Sequence, residues 1–416
     1  MPSHAREGFG DRFHARPWIL QLQVYGLAGI TLLTFFPRLF RLQERVFFLL
    51  FVVAIGFAWV EKIKPHVRTR LDIPLIAFMS WVLLTIPFAI DPAYSFSEWR
   101  KFVASMLVFY WAMFVLRVRA DEAPTRKILF VVVLGSLALS MFALEDFFLR
   151  GGSWRDRLVR AAAPSSDYNW LTTYFVLVIP ILIGWLWTQS SRVARILGSL
   201  SLATSMVAQI AAYTRAGWVA HFTQAVGLVF IVRRQQVIIW ILIGAVVAGS
   251  ALIGLSSVGL QQETIDPWTF SARVKTWRLG LQQVLEHPIV GIGFGNDTFS
   301  RVYAAEIEAD KSKGPVEKIL PALHNTFAMV LMGAGVPALI LFLWIIVSVI
   351  RELLSGVRIT NLPQSGHIVL RVAIALAVIG FMVRNLFDYM FAGSLASLFW
   401  ILVATGLHQN DVKVPE

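Results

Sequence analysis

Long apolar runs recur along almost the whole chain, and this pattern limits the fold to helices that cross a membrane. Each run is about 17–25 residues long, the length of an α-helix that spans a bilayer and longer than a barrel strand. Apolar residues make up 57% of the 416 residues and charged residues only 15%, with a mean hydropathy of +0.67. About a quarter of a typical soluble domain is charged. We therefore predict an all-α polytopic membrane protein in which residues 1–416 form a single integral membrane domain.

Twelve spans are predicted, and their connecting loops differ in charge between the two sides of the membrane. The predicted ranges are 18–36, 42–60, 72–90, 102–117, 128–148, 168–188, 195–213, 217–232, 237–257, 323–350, 368–387 and 391–408. Lys and Arg are concentrated in alternate loops, which places both termini in the cytoplasm by the positive-inside rule. Residues 258–322 form the one long outer loop, and loops of this length are usually functional. No cleavable signal peptide is predicted.

Composition also excludes several classes of site. The chain has no cysteine, which excludes disulfides, thiolate nucleophiles and cysteine-based metal sites. Its formal net charge of +12 is spread over short loops rather than gathered in one patch. That distribution indicates contact with membrane lipid and argues against a nucleic-acid partner.

His324 and Asn325 stand at the predicted start of the span 323–350, directly after a polar stretch. One interpretation is a polar cap on the helix. The other is catalytic, because the positive end of a helix lowers the pKa of a histidine below its reference of about 6.5. Such a histidine is neutral near pH 7 and can act as a general base, while the same helix end attracts phosphate oxygens.

Two arginines are candidates for binding an anion near the membrane surface. Arg215 lies in the short connection between two predicted spans, where an arginine either extends to the lipid headgroups or binds an anion. Arg273 lies on a helix predicted over residues 270–286, with Trp277 one turn later and Arg278 beside it. A cationic surface helix is either simply solvated or suited to phosphate.

Three further segments carry polar or glycine patterns. Glu145–Asp167 is rich in arginine, including Arg155 and Arg157, and is predicted as an amphipathic helix in the headgroup layer. Gly291–Gly295 lacks the Lys-Ser/Thr of a phosphate loop and is predicted as a re-entrant turn. Arg384 and Asp388 are four residues apart, can pair on one helix face, and are predicted to be structural.

Taken together, these motifs resemble the O-antigen ligase/polymerase superfamily. The resemblance rests on Arg215, on Arg273-x3-Trp277, on His287-Pro288-x2-Gly291-x-Gly293-x-Gly295, and on His324-Asn325 followed by Gly335. The family often has leucine four residues after the first arginine, and here Val219 keeps an apolar side chain at that position. The resemblance covers roughly residues 195–345.

The resemblance implies an inverting, metal-independent glycosyltransferase of the GT-C type that needs no cofactor. Such an enzyme takes glycan from undecaprenyl diphosphate at the periplasmic face of the bacterial inner membrane. His324 would be the general base, and Arg215 and Arg273 would stabilise the diphosphate. The further substrate-binding candidates are Asn325, Trp277, Arg278, Arg155 and Arg157.

Three functions remain open at this point. A ligase passes the glycan to lipid A-core oligosaccharide, and we favour it because the arginines of residues 150–160 could meet acceptor phosphates. A polymerase would instead extend another undecaprenyl-linked glycan. A lipid-linked anion transporter or flippase would place its charges near mid-membrane in two related halves, whereas here they gather at one face. A monomer suffices as the working unit.

Overall fold

The computed structural model describes residues 17–62, 67–118, 123–154, 159–162, 164, 167–232, 267–310, 319–357 and 365–411. Every regular element within these residues is helical. The α-helices are α1 (Pro17–Thr34), α2 (Phe40–Val60), α3 (Asp72–Thr85), α4 (Pro92–Val118), α5 (Ala123–Leu149), α6 (Tyr168–Thr188), α7 (Arg192–Ala211), α8 (Arg215–Val232), α9 (Pro267–Glu286), α10 (Thr298–Val302), α11 (Ala304–Ala309), α12 (Thr326–Leu354), α13 (Gly366–Arg384) and α14 (Gly393–Asp411).

The prediction of an all-helical membrane protein is confirmed. Of the predicted spans, only 237–257 lies outside the described residues, and each of the others overlaps a helix. Among the described helices, seven are long and apolar enough to cross a membrane: Pro37–Val60, Pro92–Arg117, Ala123–Leu149, Tyr168–Thr188, Arg192–Ala211, Thr326–Leu354 and Gly366–Arg384. The number of twelve spans stays a prediction. The long loop predicted over 258–322 contains α9, close to the range expected for its helix.

Helix α13 lies at the centre of the bundle and packs against α6, α8, α12 and α14. Hydrogen bonds join its end to the starts of neighbouring helices. Thr326 N–H of α12 donates to Asn385 O at 2.9 Å, and Arg384 Nη2 donates to Asn169 Oδ1 of α6 at 2.8 Å. Thr172 of α6 bonds in turn to Thr214, just before α8. We call this end of the bundle, where α6, α8 and α12 begin and α13 ends, the site end.

Helix α12 is broken at Gly335, and the glycine turn fills the break. Gly335 has φ +80°, and a Cβ there would lie 2.0 Å from Ile289 O. The segment that contains the turn forms backbone hydrogen bonds with α12 on both sides of the break. Gly293 N–H donates to Gly333 O at 2.9 Å, and Val336 N–H donates to Pro288 O at 2.8 Å. The interlocked backbones therefore explain the glycines, and a phosphate is not needed to account for them.

The amphipathic helix predicted over Glu145–Asp167 is wrong. Helix α5 continues to Leu149 and stops at Gly151, which has φ +76°, and the described residues 159–162 are not helical. Gly152 N–H donates back to Phe147 O at 2.8 Å, so the glycine pair closes the helix at its C-terminus. Arg155 and Arg157 lie outside the described residues.

Candidate active site

The sequence predicts His324 in the first turn of a helix. In the structure His324 lies just before α12, which begins at Thr326. Asn325 is the N-cap, and its Oδ1 accepts a hydrogen bond from Ala328 N–H at 3.0 Å. His324 itself has φ +48°, a left-handed conformation that few residues other than glycine adopt. This turn of the backbone separates the imidazole from the helix and directs it to the end of α13.

The imidazole of His324 pairs with Asp388, which lies in the turn between α13 and α14. Nδ1 of His324 and Oδ1 of Asp388 are 3.0 Å apart, and the side chains are 31% and 13% exposed. Burial raises the pKa of Asp388, but its hydrogen bond with His324 and the charge of Arg384 outweigh burial and leave that pKa lowered. An ionised carboxylate only accepts hydrogen bonds. Nδ1 of His324 therefore carries a proton, and in the neutral imidazole the lone pair is on Nε2.

Asp388 is a candidate functional residue that the sequence interpretation missed, because its pair with Arg384 was predicted to be mainly structural. That pair exists, with Arg384 Nη2 at 3.7 Å from Asp388 Oδ2. The other oxygen of the carboxylate, however, lies 3.0 Å from Nδ1 of His324. A charged pair at the end of a predicted span was the available signal.

A second carboxylate stands behind Arg384. Asp167 is the N-cap of α6, and its Oδ1 accepts a hydrogen bond from Asn169 N–H at 2.7 Å. Burial raises the pKa of Asp167, and the negative charge of Asp388 adds to this effect, while the Asn169 N–H and the charge of Arg384 oppose it. Arg384 is thus placed between two carboxylates.

Arg273 and Arg215 lie within electrostatic range of this cluster. Desolvation lowers the pKa of the half-buried Arg273, the charge of Asp388 acts against that effect, and the charge of Arg215 adds to it. Nε of Arg273 is buried and has no hydrogen-bond partner among the described residues. Arg215 is the first residue of α8 and is exposed. Asp388 thus links His324 to the electrostatic surroundings of Arg273 and Arg215, and the catalytic roles predicted for these three residues stay predictions.

Helix α9 is fixed to the segment before His324 by three contacts. Trp277 Nε1 donates to Leu323 O at 2.8 Å, and Leu320 N–H donates to Thr276 Oγ1 at 3.0 Å. Gly280 lies against the side chain of Leu323, so closely that a Cβ there would be 2.7 Å from it. Trp277 therefore holds the backbone of the site, and its predicted contact with substrate stays a prediction.

The remaining predicted residues are less involved in these contacts. Arg278 is exposed on α9, next to Trp277. Asn325 uses its side-chain oxygen to cap α12. Among the described residues, no group of three or more His, Asp or Glu side chains is arranged to hold a metal ion.

Part of the chain is similar in sequence to known proteins. Residues 200–343 match the family described as O-Antigen ligase. The matched segment is similar to O-antigen ligases. The O-antigen ligase of Salmonella typhimurium strain LT2 is 22% identical to it over 335 residues, which cover 75% of this chain and 78% of that relative. The matched range contains Arg215, Arg273 and His324, whereas Asp388 and Arg384 lie beyond it.

Proposed function

We propose that this multi-pass membrane protein is an O-antigen ligase that transfers a glycan from undecaprenyl diphosphate to lipid A-core oligosaccharide at the periplasmic face of the bacterial inner membrane. One observation carries the proposal. The carboxylate of Asp388, which pairs with Nδ1 of His324, and the charge of Arg215 both act on the guanidinium of Arg273. A general base beside fixed cations fits transfer from a diphosphate donor.

The donor side of the reaction requires charge stabilisation rather than an acid. When the bond between the anomeric carbon and the diphosphate oxygen breaks, both electrons leave with the diphosphate. Guanidiniums stabilise that charge with paired N–H donors and stay protonated throughout. Arg273, with a buried Nε that no described residue binds, and the exposed Arg215 supply these donors.

The acceptor side requires removal of one proton. Nε2 of His324 takes the proton of the acceptor hydroxyl while the hydroxyl oxygen attacks the anomeric carbon from the face opposite the diphosphate. The configuration at that carbon is therefore inverted. The imidazolium that forms is stabilised by the carboxylate of Asp388 at 3.0 Å, as in other histidine–carboxylate pairs.

The carrier lipid also needs an apolar path to the site, and a groove between α2 and α4 supplies one. Two cavities follow one another along these helices. The first, of about 70 Å³, lies at the site end, where Glu44, Glu98 and Tyr389 line it. The second, of about 230 Å³, is lined only by residues of α2 and α4, including Ile55 and Trp111. Tyr389 follows Asp388 directly in the chain, so a polyprenyl chain in the groove would bring its diphosphate close to the arginines.

The decisive experiment reconstitutes the purified protein with labelled, undecaprenyl-diphosphate-linked glycan in the presence of EDTA. We expect label to move to lipid A-core, and His324→Ala or Arg215→Ala to abolish this transfer. Arg100→Ala is the matched control, because Arg100 is an exposed arginine near the start of α4 and outside the proposed site. Full activity of the His324 or Arg215 variant would remove that residue from the mechanism.

The same assay separates the ligase from a polymerase. Both acceptors, lipid A-core and undecaprenyl-linked glycan, are offered together in equal amounts. Label that accumulates on the undecaprenyl-linked acceptor would identify a polymerase and overturn the ligase assignment. A strict requirement for a divalent ion would overturn the metal-independent mechanism.

A further inference from the structure

Arg384 is one of the largest fully buried side chains among the described residues, with only 1% of it exposed. Burying a guanidinium requires both a balancing charge and hydrogen-bond partners. Arg384 finds them in Asn169 Oδ1 at 2.8 Å and Asp388 Oδ2 at 3.7 Å, with Asp167 also close enough to act on its charge. It therefore connects the start of α6 with the carboxylate that holds His324.

We propose that Arg384 is a positioning residue for the transfer: it keeps Asp388 ionised and fixed, so that the proton of His324 remains on Nδ1 and Nε2 remains free. This inference rests on the proposed function, because it assigns Arg384 a role in that reaction. It goes beyond the segment that matches the family, because Arg384 lies outside residues 200–343.

The physical reason lies in the burial of Asp388. A carboxylate in a poorly solvated position tends to take up a proton unless a cation stands beside it. A protonated Asp388 would lose its firm hold on Nδ1 of His324, and the imidazole could turn. Arg384 prevents this, because its positive charge lies beside Oδ2 of Asp388.

Several charges surround this arrangement and decide the sign of any pH effect. Asp167 faces Arg384 from the start of α6, Arg273 faces Asp388 from α9, and Arg215 stands beyond Arg273 on α8. Tyr168, next to Asp167, lies near Arg273. Of these groups, Arg384 and Asp167 act on Asp388 with opposite charges, so their removal should have opposite effects.

The test is the pH dependence of transfer in two variants. Arg384→Met removes the cation, so either Asp388 takes up a proton or His324 binds its second proton more tightly. Both changes move the acid limb of the kcat/KM profile to higher pH, by about one unit for an opposite charge at this range. Asp167→Asn keeps the helix cap, since asparagine caps well, but removes a negative charge, and it should move the acid limb to lower pH.

A purely structural role predicts a different result. It would lower the rate evenly at all pH values and leave the acid limb in place. An unmoved limb in either variant overturns the inference, as does a shift of both variants in the same direction. Should Arg384→Met fail to fold, Arg384→Lys and Asp167→Asn decide the question, with the lysine variant expected to keep the wild-type limb.

A second readout does not depend on transfer. Diethyl pyrocarbonate modifies only unprotonated imidazole, and peptide mass spectrometry reports the modified fraction of His324 at each pH. In Arg384→Met the modification curve should move to higher pH where Asp388 stays ionised, and to lower pH where Asp388 takes up the proton, because the imidazolium then loses its counterion. In Asp167→Asn it should move to lower pH. If the wild-type protein transfers no glycan but these curves shift as expected, the proposed function fails and the role of Arg384 in holding Asp388 stands. If transfer occurs but the curves coincide, the role of Arg384 fails alone.

Discussion

Oδ1 of Asp388 lies 3.0 Å from Nδ1 of His324, although 64 positions separate the two residues in the chain. Thr326 and Asn385 fix this relationship. Thr326 N–H donates to Asn385 O at 2.9 Å, and Thr326 Oγ1 donates to Asn385 Oδ1 at 2.6 Å. Both residues are fully buried. The base and its carboxylate are therefore held by a rigid junction between the start of α12 and the end of α13.

Asp388→Asn tests this pair directly. The amide can donate to Nδ1, which leaves the proton on Nε2 and removes the free lone pair that the base needs. We expect kcat to fall by about 10²–10⁴-fold, with little change in the KM for the donor or the KM for the acceptor. Purified protein is assayed with one substrate varied while the other is saturating. Asp297→Asn, a carboxylate on the same side but outside the cluster, should keep its rate. Equal rates for the two variants would exclude Asp388 from the mechanism.

Arg273→Gln tests the stabilisation of the leaving diphosphate. The amide keeps hydrogen-bonding capacity but carries no charge, so we expect transfer to fall by about 10²–10³-fold. Arg273→Lys keeps the charge but loses the paired donors, and it should recover only part of that loss. Arg100→Gln, which removes an exposed arginine of α4, serves as the control. A loss in Arg100→Gln as large as in Arg273→Gln would indicate a general effect of lost surface charge.

Gly335→Ala tests the interlocked break in α12. The new Cβ would meet Ile289 O at 2.0 Å, so we expect either failure to fold or a large fall in the melting temperature in detergent. Gly356→Ala is the matched control, because Gly356 also has a left-handed φ, +68°, but has open space around it. That change should cost only the backbone strain of roughly 1–2 kcal/mol. Similar melting temperatures for the two variants would show that the glycine turn is not locked into the helix.

Ile55→Trp tests the groove proposed for the carrier chain. Ile55 lines the second cavity, and an indole there would displace about two methylene groups of a bound chain, at about 0.8 kcal/mol each. We therefore expect roughly a tenfold rise in KM for the lipid-linked donor and an unchanged KM for the acceptor. Val52→Trp, on the same helix but 65% exposed and outside the cavity lining, should leave both values unchanged. A rise in the acceptor KM instead would assign the groove to the acceptor.

Much of the helical framework follows from local sequence. The apolar runs are long and their ends carry glycine, proline or charge, so ranges such as 168–188 coincide with helix α6 (Tyr168–Thr188). Helix α9 follows from apolar residues at three- and four-residue spacing, although Pro267–Glu286 starts earlier than predicted. These features depend on neighbours in the chain, which a sequence displays directly.

The site was only half predictable. His324, Arg215 and Arg273 stand out by residue type and by their place beside apolar runs, and their roles stay predictions. The partnership of His324 with Asp388 depends on a left-handed backbone at His324 and on the turn after Arg384, neither of which an apolar pattern reports. The break at Gly335 depends likewise on a segment more than forty residues earlier in the chain. The helix predicted over 145–167 failed because the glycine pair at 151–152 outweighs the charge pattern.

Asp167, Arg384, Asp388 and His324 form a series of interacting side chains that come from three separate segments of the chain. Residues 200–343 include only His324 of these four residues. A fragment of that range would therefore contain the proposed base but lack the carboxylate of Asp388 that holds it. Grafting the matched segment into an unrelated helical bundle should therefore yield an inactive protein. An active graft would also need α6 with Asp167, and α13 with the turn that carries Asp388.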